Sequence, residues 1–138
     1  PMNPIKHGSL VLVFNKAGQL ALQLRSAHDT SYPSYWDFSA GGGMEPGEDN
    51  AKAAERELWE EIGVKTPIEF VGEFIYHGET STDYMYVYRA EHEGPFNPDP
   101  NEVAEVVFRS LDEIKIMIAN GKKFRPDFLF VLNKMFNI

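Results

Sequence analysis

Residues 42–64 read GGMEPGEDNAKAAERELWEEIGV, and this stretch organises the rest of the chain. Asp49 is a good helix N-cap, Ala51, Ala53 and Ala54 favour helix, and Gly63 supplies a C-terminal stop, so the sequence predicts one helix over roughly 50–62. Glu57, Glu60 and Glu61 then stand at i, i+3 and i+4 on a single face. Three carboxylates so placed repel one another and destabilise a bare helix. A hard divalent cation removes the conflict, because Mg²⁺ takes carboxylate oxygens and keeps its remaining positions for water or phosphate. Leu58 and Ile62 share another face with Ala51 and Ala54, suited to burial against a sheet. The helix therefore has a core side and a metal side. Just upstream, Ser39-Ala40-Gly41-Gly42-Gly43 reads as a turn whose missing side chains let backbone approach an ion or a phosphate.

The spacing is Gly42, five residues, Glu48, seven residues, then Arg56-Glu57-Leu58-Trp59-Glu60-Glu61-Ile62-Gly63-Val64. This is a complete Nudix box. At average residue usage, a chance match is expected on the order of 10⁻⁹ per window. The chain thus resembles the Nudix hydrolases, which cleave nucleoside diphosphates linked to a variable group and use divalent metal ions. The resemblance implies Glu57 and Glu61 as principal metal ligands, Glu60 as ligand or water-mediated partner, and the carbonyl of Gly41 as a further ligand. It also implies that Glu48 and Arg56 pair to fix loop to helix. The implied cofactor is Mg²⁺ or Mn²⁺.

Composition is compatible with that expectation. A chain of 138 residues with 43% hydrophobic residues fits one domain, taken as 2–138, with an ample core. Pro1 before Met2 reads as a cloning remnant and is set aside. The formal charge of −8 argues against long nucleic acid, whose phosphates need clustered Lys and Arg. A small anionic substrate still fits if metal neutralises it, and much of the acidic excess lies between Glu45 and Glu61, where metal would bind. No apolar run approaches a membrane span and no signal-peptide pattern opens the chain, so a cytoplasmic protein is expected, with a homodimer left open. The absence of cysteine removes disulfides and thiol catalysis together.

Along the chain, Leu10 to Phe14 and Leu20 to Leu24 read as a hairpin about Asn15–Gln19, and Trp36-Asp37-Phe38 as a short strand entering the glycine turn. Residues 68–76 and 82–90 form a second strand pair. Glu93 to Asn101, with three prolines and a glycine, is a loop. Val103 to Phe108 is a last strand, Leu111 to Ala119 a helix opened by Ser110 or Asp112, and Pro126 to Phe136 a terminal helix with proline in its first turn. Helices interleaved with a mixed sheet give an α/β/α sandwich, which is also the Nudix fold.

The segment 31–42, SYPSYWDFSAGG, is similar to the Nudix branch that includes isopentenyl diphosphate isomerase and its hydrolase-like relatives. The isomerase moves protons at carbon with a cysteine opposite a glutamate, and this chain has no cysteine. A non-catalytic nucleotide sensor would carry a degenerate box, whereas Arg56, Glu57, Glu60 and Glu61 are intact. The chemistry implied is substitution at phosphorus by water, mostly through positioning and electrostatics. In similar proteins the general base is often a glutamate in a late loop. The candidates are Glu102 and Glu105, with Glu102 preferred because it stands at a loop-to-strand boundary. Glu60 and Arg56 complete the candidate catalytic set. Tyr84, Tyr86 and Tyr88 share one strand face and read as half-buried packing more readily than as a stacking platform. Tyr32, Tyr35, Trp36 and Phe74 are further pocket-wall candidates. Trp59 is expected to pack, Arg25 and Arg89 to meet solvent or carboxylate, and the four histidines to take no metal role.

Overall fold

A computed structural model describes residues 3–138, so the reading of Pro1 lies outside the described residues. Alternation in the first strand sets up two cores. In β1 (Ile5–Phe14), Leu12 and Phe14 point to one face while Val11 and Val13 point to the other, as the period of two requires. The remaining elements follow as β2 (Leu20–Arg25), β3 (Trp36–Asp37), β4 (Ala40–Gly43), α1 (Asn50–Ile62), β5 (Ile68–His77), β6 (Thr82–Glu91), β7 (Val103–Arg109), α2 (Leu111–Ala119) and α3 (Pro126–Phe136). The sheet runs β3-β2-β1-β6-β5, with β4 also paired to β1 and β7 to β2. The β1–β6 pair is parallel and the others are antiparallel, so the sheet is mixed.

One core packs Leu12, Leu22, Met85 and Val87 against Ile114 of α2 and Phe128, Val131 and Leu132 of α3. The other packs Val11, Val13, Ala21 and Tyr88 against Ala54, Leu58 and Ile62 of α1. The architecture is the expected α/β/α sandwich. The helix ends follow local chemistry. Asp49 accepts the Lys52 amide at α1, and Ser110, not Asp112, caps α2 in a reciprocal capping box with Glu113.

Two expectations about local structure change. The β1–β2 hairpin pairs only at Phe14↔Leu20 and then splays, because β4 takes the place beside β1. Consequently Ala40–Gly43 is not a turn but a strand, registered antiparallel with Gly41 opposite Leu10 and Gly42 opposite Ser9. Buried Ser39 bridges the splay. Its hydroxyl accepts the Val13 amide at 2.9 Å and donates to the Ala21 carbonyl at 2.6 Å, satisfying groups that the broken ladder would strand.

Candidate active site

The absence of a side chain on Gly42 lets α1 approach β4. A Cβ there would lie 2.9 Å from the Glu57 carboxyl carbon, so the Glu57 head group rests directly on the glycine backbone. One turn later Glu61 is 7% exposed. Its Oε1 accepts from the Gln23 side chain at 2.8 Å and from the Gly41 amide at 3.1 Å. Burial, and then the Glu57 carboxyl beside it, push the Glu61 carboxyl well above its ordinary range. Two carboxyls thus share a confined place against Gly41 and Gly42.

Arg56 organises the outer edge. Its Nε and Nη2 donate to the two Glu48 oxygens at 2.6 and 3.0 Å, and Nη2 also donates to the Gly43 carbonyl at 3.0 Å. Nη1 donates to Glu57 at 2.7 Å and Glu60 at 3.1 Å. The guanidinium holds Glu48 below the usual carboxylate range, and its own pKa is raised in turn, first by Glu48. The structure therefore joins the loop before α1 to the helix through Glu48 and Arg56. Glu60 differs from Glu57 and Glu61: it is turned outward to Arg56 and its side chain is 53% exposed. Among the described residues no three acidic or imidazole side chains stand converged on one point.

Of the two base candidates, Glu102 is brought to the carboxylates by the chain that precedes it. The Asn97 and Asp99 amides donate to the Ile62 and Glu61 carbonyls, both at 2.9 Å, so this loop docks on the open end of α1. The left-handed Gly63 (φ 69°) makes room, since a Cβ there would stand 2.9 Å from that of Asn97. Glu102 lies in the turn that follows and lines, with Glu60, Trp59 and Asp99, an open cleft of about 470 Å³. Partial burial, then Asp99, Glu57 and Glu60, raise its pKa above the ordinary value. Glu105 lies within the β7–β2 ladder opposite Leu24, and among the described residues no hydrogen bond or ion pair holds its side chain.

The other candidates separate. Trp59 is 52% exposed instead of packed in a core, with the Lys65 ammonium 4.5 Å from its ring centre. Tyr88 is buried against the α1 core, whereas Tyr84 stacks on His7 at 5.0 Å. Arg25 pairs with Asp29 and Asp37, and Arg89 lies over the Phe14 ring. Tyr35 packs edge-on against Tyr32, while Trp36 and Phe74 pack on the α2/α3 core. Sequence reasoning missed Gln23 and Ser39. The available signal for Gln23 was a single polar residue inside the apolar run Leu20 to Leu24.

The comparisons agree with this architecture. The NUDIX domain family model matches residues 5–131. The chain is 34% identical over 130 residues to an uncharacterized Nudix hydrolase of Listeria monocytogenes, covering 93% of this chain and 75% of that protein. It is 37% identical over 101 residues to an isopentenyl-diphosphate Delta-isomerase of Halorhodospira halophila, covering 67% of this chain and 57% of that one. A MutT protein from Methanosarcina mazei superposes with a TM-score of 0.81 at 22% identity, over 99% of this chain and 96% of that chain. With the family model matching 5–131, a span that holds the box and nearly all of the sheet, the chain belongs to the Nudix family of hydrolases.

Proposed function

We propose that this Nudix pyrophosphohydrolase cleaves a diphosphate linkage in a nucleotide-type small molecule by attack of water at phosphorus, with Mg²⁺ or Mn²⁺. The observation that carries the reading is the meeting of Glu57 and Glu61 against Gly41 and Gly42. Two close carboxyls on a helix face, one of them buried, form a hard-oxygen donor set whose mutual repulsion a divalent cation would relieve, so the residues fit such an ion. Glu57, Glu61 and the Gly41 backbone would hold it, and Glu60 would join by turning from Arg56. When bound, the ion supplies neutralisation of diphosphate charge and acidification of a coordinated water.

The chain's own groups do the rest. Gln23 and the Gly41 amide fix the Glu61 carboxyl, and Arg56 fixes Glu57, so both heads are preorganised before substrate arrives. Glu102, at the rim of the cleft, takes the proton of the attacking water. A general base there should give a rate that falls as pH drops through a pKa above the ordinary glutamate value, because only the ionised form accepts the proton. The isomerase among the relatives does not redirect the reading, since this chain has no cysteine to move a proton at carbon.

The experiment is product analysis over a panel of nucleoside triphosphates, nucleotide sugars, ADP-ribose, dinucleotides and prenyl diphosphates, with and without chelator. Metal-dependent release of phosphate or nucleotide is expected. Tight nucleotide binding with no turnover would instead make the protein a sensor, and double-bond migration in a prenyl diphosphate would make it an isomerase.

A further inference from the structure

The side chain of Gln23 lies buried, at 4% exposure, in a strand that is otherwise apolar at Leu20, Ala21, Leu22 and Leu24. An amide in that place gives up the burial an aliphatic side chain would supply, and it is tolerated only if hydrogen-bonded. Its Nε2 donates to the Ser39 carbonyl at 3.2 Å and to Glu61 Oε1 at 2.8 Å, so both N–H groups are used. Both partners are acceptors, which admits only the orientation with nitrogen toward them. Ser39 is in turn anchored through its hydroxyl to Val13 and Ala21, so the amide is held at a fixed point. We propose that Gln23 is a positioning residue: by occupying Oε1 of Glu61 it leaves that carboxylate one oxygen for a cation, and so selects Mg²⁺ or Mn²⁺ over Ca²⁺. This rests on the metal-dependent reading of the site.

Each oxygen of a carboxylate offers about two lone-pair sites. On Glu61 Oε1 the Gln23 amide takes one and the Gly41 amide, at 3.1 Å, takes the other. Oε2 receives no donor among the described residues, so it is the oxygen left open. Glu57 is treated in a similar way, with Arg56 Nη1 on its Oε1 at 2.7 Å. A small ion such as Mg²⁺ keeps an octahedral shell that single oxygens and waters fill, whereas Ca²⁺ takes more oxygens and readily grips both oxygens of one carboxylate. To grip Glu61 in that way an ion must displace the donor of Gln23 or of Gly41, and the displaced donor is then left buried and unpaired. Gly41 is fixed by the β4–β1 pairing opposite Leu10, so Gln23 is the side chain on which the choice turns.

The test is competition between Mn²⁺ and Ca²⁺ for the substrate-free protein, followed by the electron paramagnetic resonance signal of free Mn²⁺, in wild type, Gln23→Met, Gln23→Asn and Glu61→Gln. Methionine keeps the length of the side chain and removes the donor. The wild-type preference for Mn²⁺ over Ca²⁺ should fall roughly tenfold in Gln23→Met, the worth of a hydrogen bond to a charged group. Asparagine is too short to reach Ser39 and Glu61 together, and its preference should fall as well. The ratio of affinities is the informative quantity, because looser packing, or a change in how readily Glu61 ionises, weakens both ions alike. A ratio that is unchanged in Gln23→Met overturns the proposal, and so does a wild type that shows no preference. Should Gln23→Met not fold, Gln23→Asn decides, and an unchanged ratio there overturns it. Absence of Mn²⁺ binding in wild type, or equal binding by Glu61→Gln, would overturn the metal reading and this one with it. Ions bound through Glu61 with an unmoved ratio would overturn this one alone.

Discussion

Glu57 and Glu61 are bound to opposite sorts of partner, and that difference sets what each substitution should do. Glu57 leans on Arg56 at the surface edge, whereas Glu61 is buried among neutral donors from Gln23 and Gly41. Glu61→Gln and Glu57→Gln should each lower turnover by several orders of magnitude, because a ligand charge is lost where the reaction needs it. Metal-free thermal stability should hold or rise in Glu61→Gln, since a buried carboxyl beside another carboxyl is replaced by a neutral isostere. A marked loss of metal-free stability there would show that the glutamate serves structure instead. For the base, Glu102→Gln should reduce kcat by roughly 10² to 10⁴ with metal binding retained, and the deficit should narrow at high pH as hydroxide replaces the base. Glu105→Gln should stay near wild type. Kinetics with the two behaviours exchanged would reverse the assignment.

At the scale of elements, the site depends on a break in the sheet. β1 and β2 separate after one pair, β4 enters, and Ser39 closes the gap between them. Ser39→Ala leaves a buried amide and a buried carbonyl without this partner, so urea unfolding should show a loss of about 1–3 kcal/mol with an unchanged m-value. A change within a few tenths of a kcal/mol would mean that the splay is satisfied in another way. The helices, the apolar strands and the carboxylate face of α1 were all legible, because caps, periodicity and spacing are local. The glycine strand was not. Three glycines in a row carry no side-chain pattern, so a turn and a strand read alike, and only the partner strand 30 residues upstream decides between them.

For the whole molecule, the burial of Asp127 in the first turn of α3 has a cost that pH reveals. Burial pushes the Asp127 carboxyl up to about 6 from an ordinary 3.8, with Asp37 and Asp83 adding to the rise and Arg125 opposing it. A raised carboxyl favours the folded protein while protonated, so its contribution is complete below about pH 4 and is lost as pH climbs through about 6. Asp127→Asn should therefore be more stable than wild type at pH 8 by up to about 3 kcal/mol, with the advantage vanishing toward pH 4. Equal melting temperatures across that range would show that Arg125 compensates the charge fully. Among the described residues no helix is long and apolar enough to cross a membrane, and Glu57 and Glu61 meet at the sheet against Gly41 and Gly42. The central claim is that Glu57, Glu61 and the Gly41 backbone would hold a divalent ion there and that the site directs water to phosphorus. The most direct measurement is ³¹P NMR of the products formed in ¹⁸O-water, with Mg²⁺ or Mn²⁺ and again with chelator. One ¹⁸O should enter a phosphate product for each bond cleaved, only when metal is present, and not in Glu61→Gln. Cleavage that persists in chelator, or products whose phosphorus carries no ¹⁸O, would contradict it.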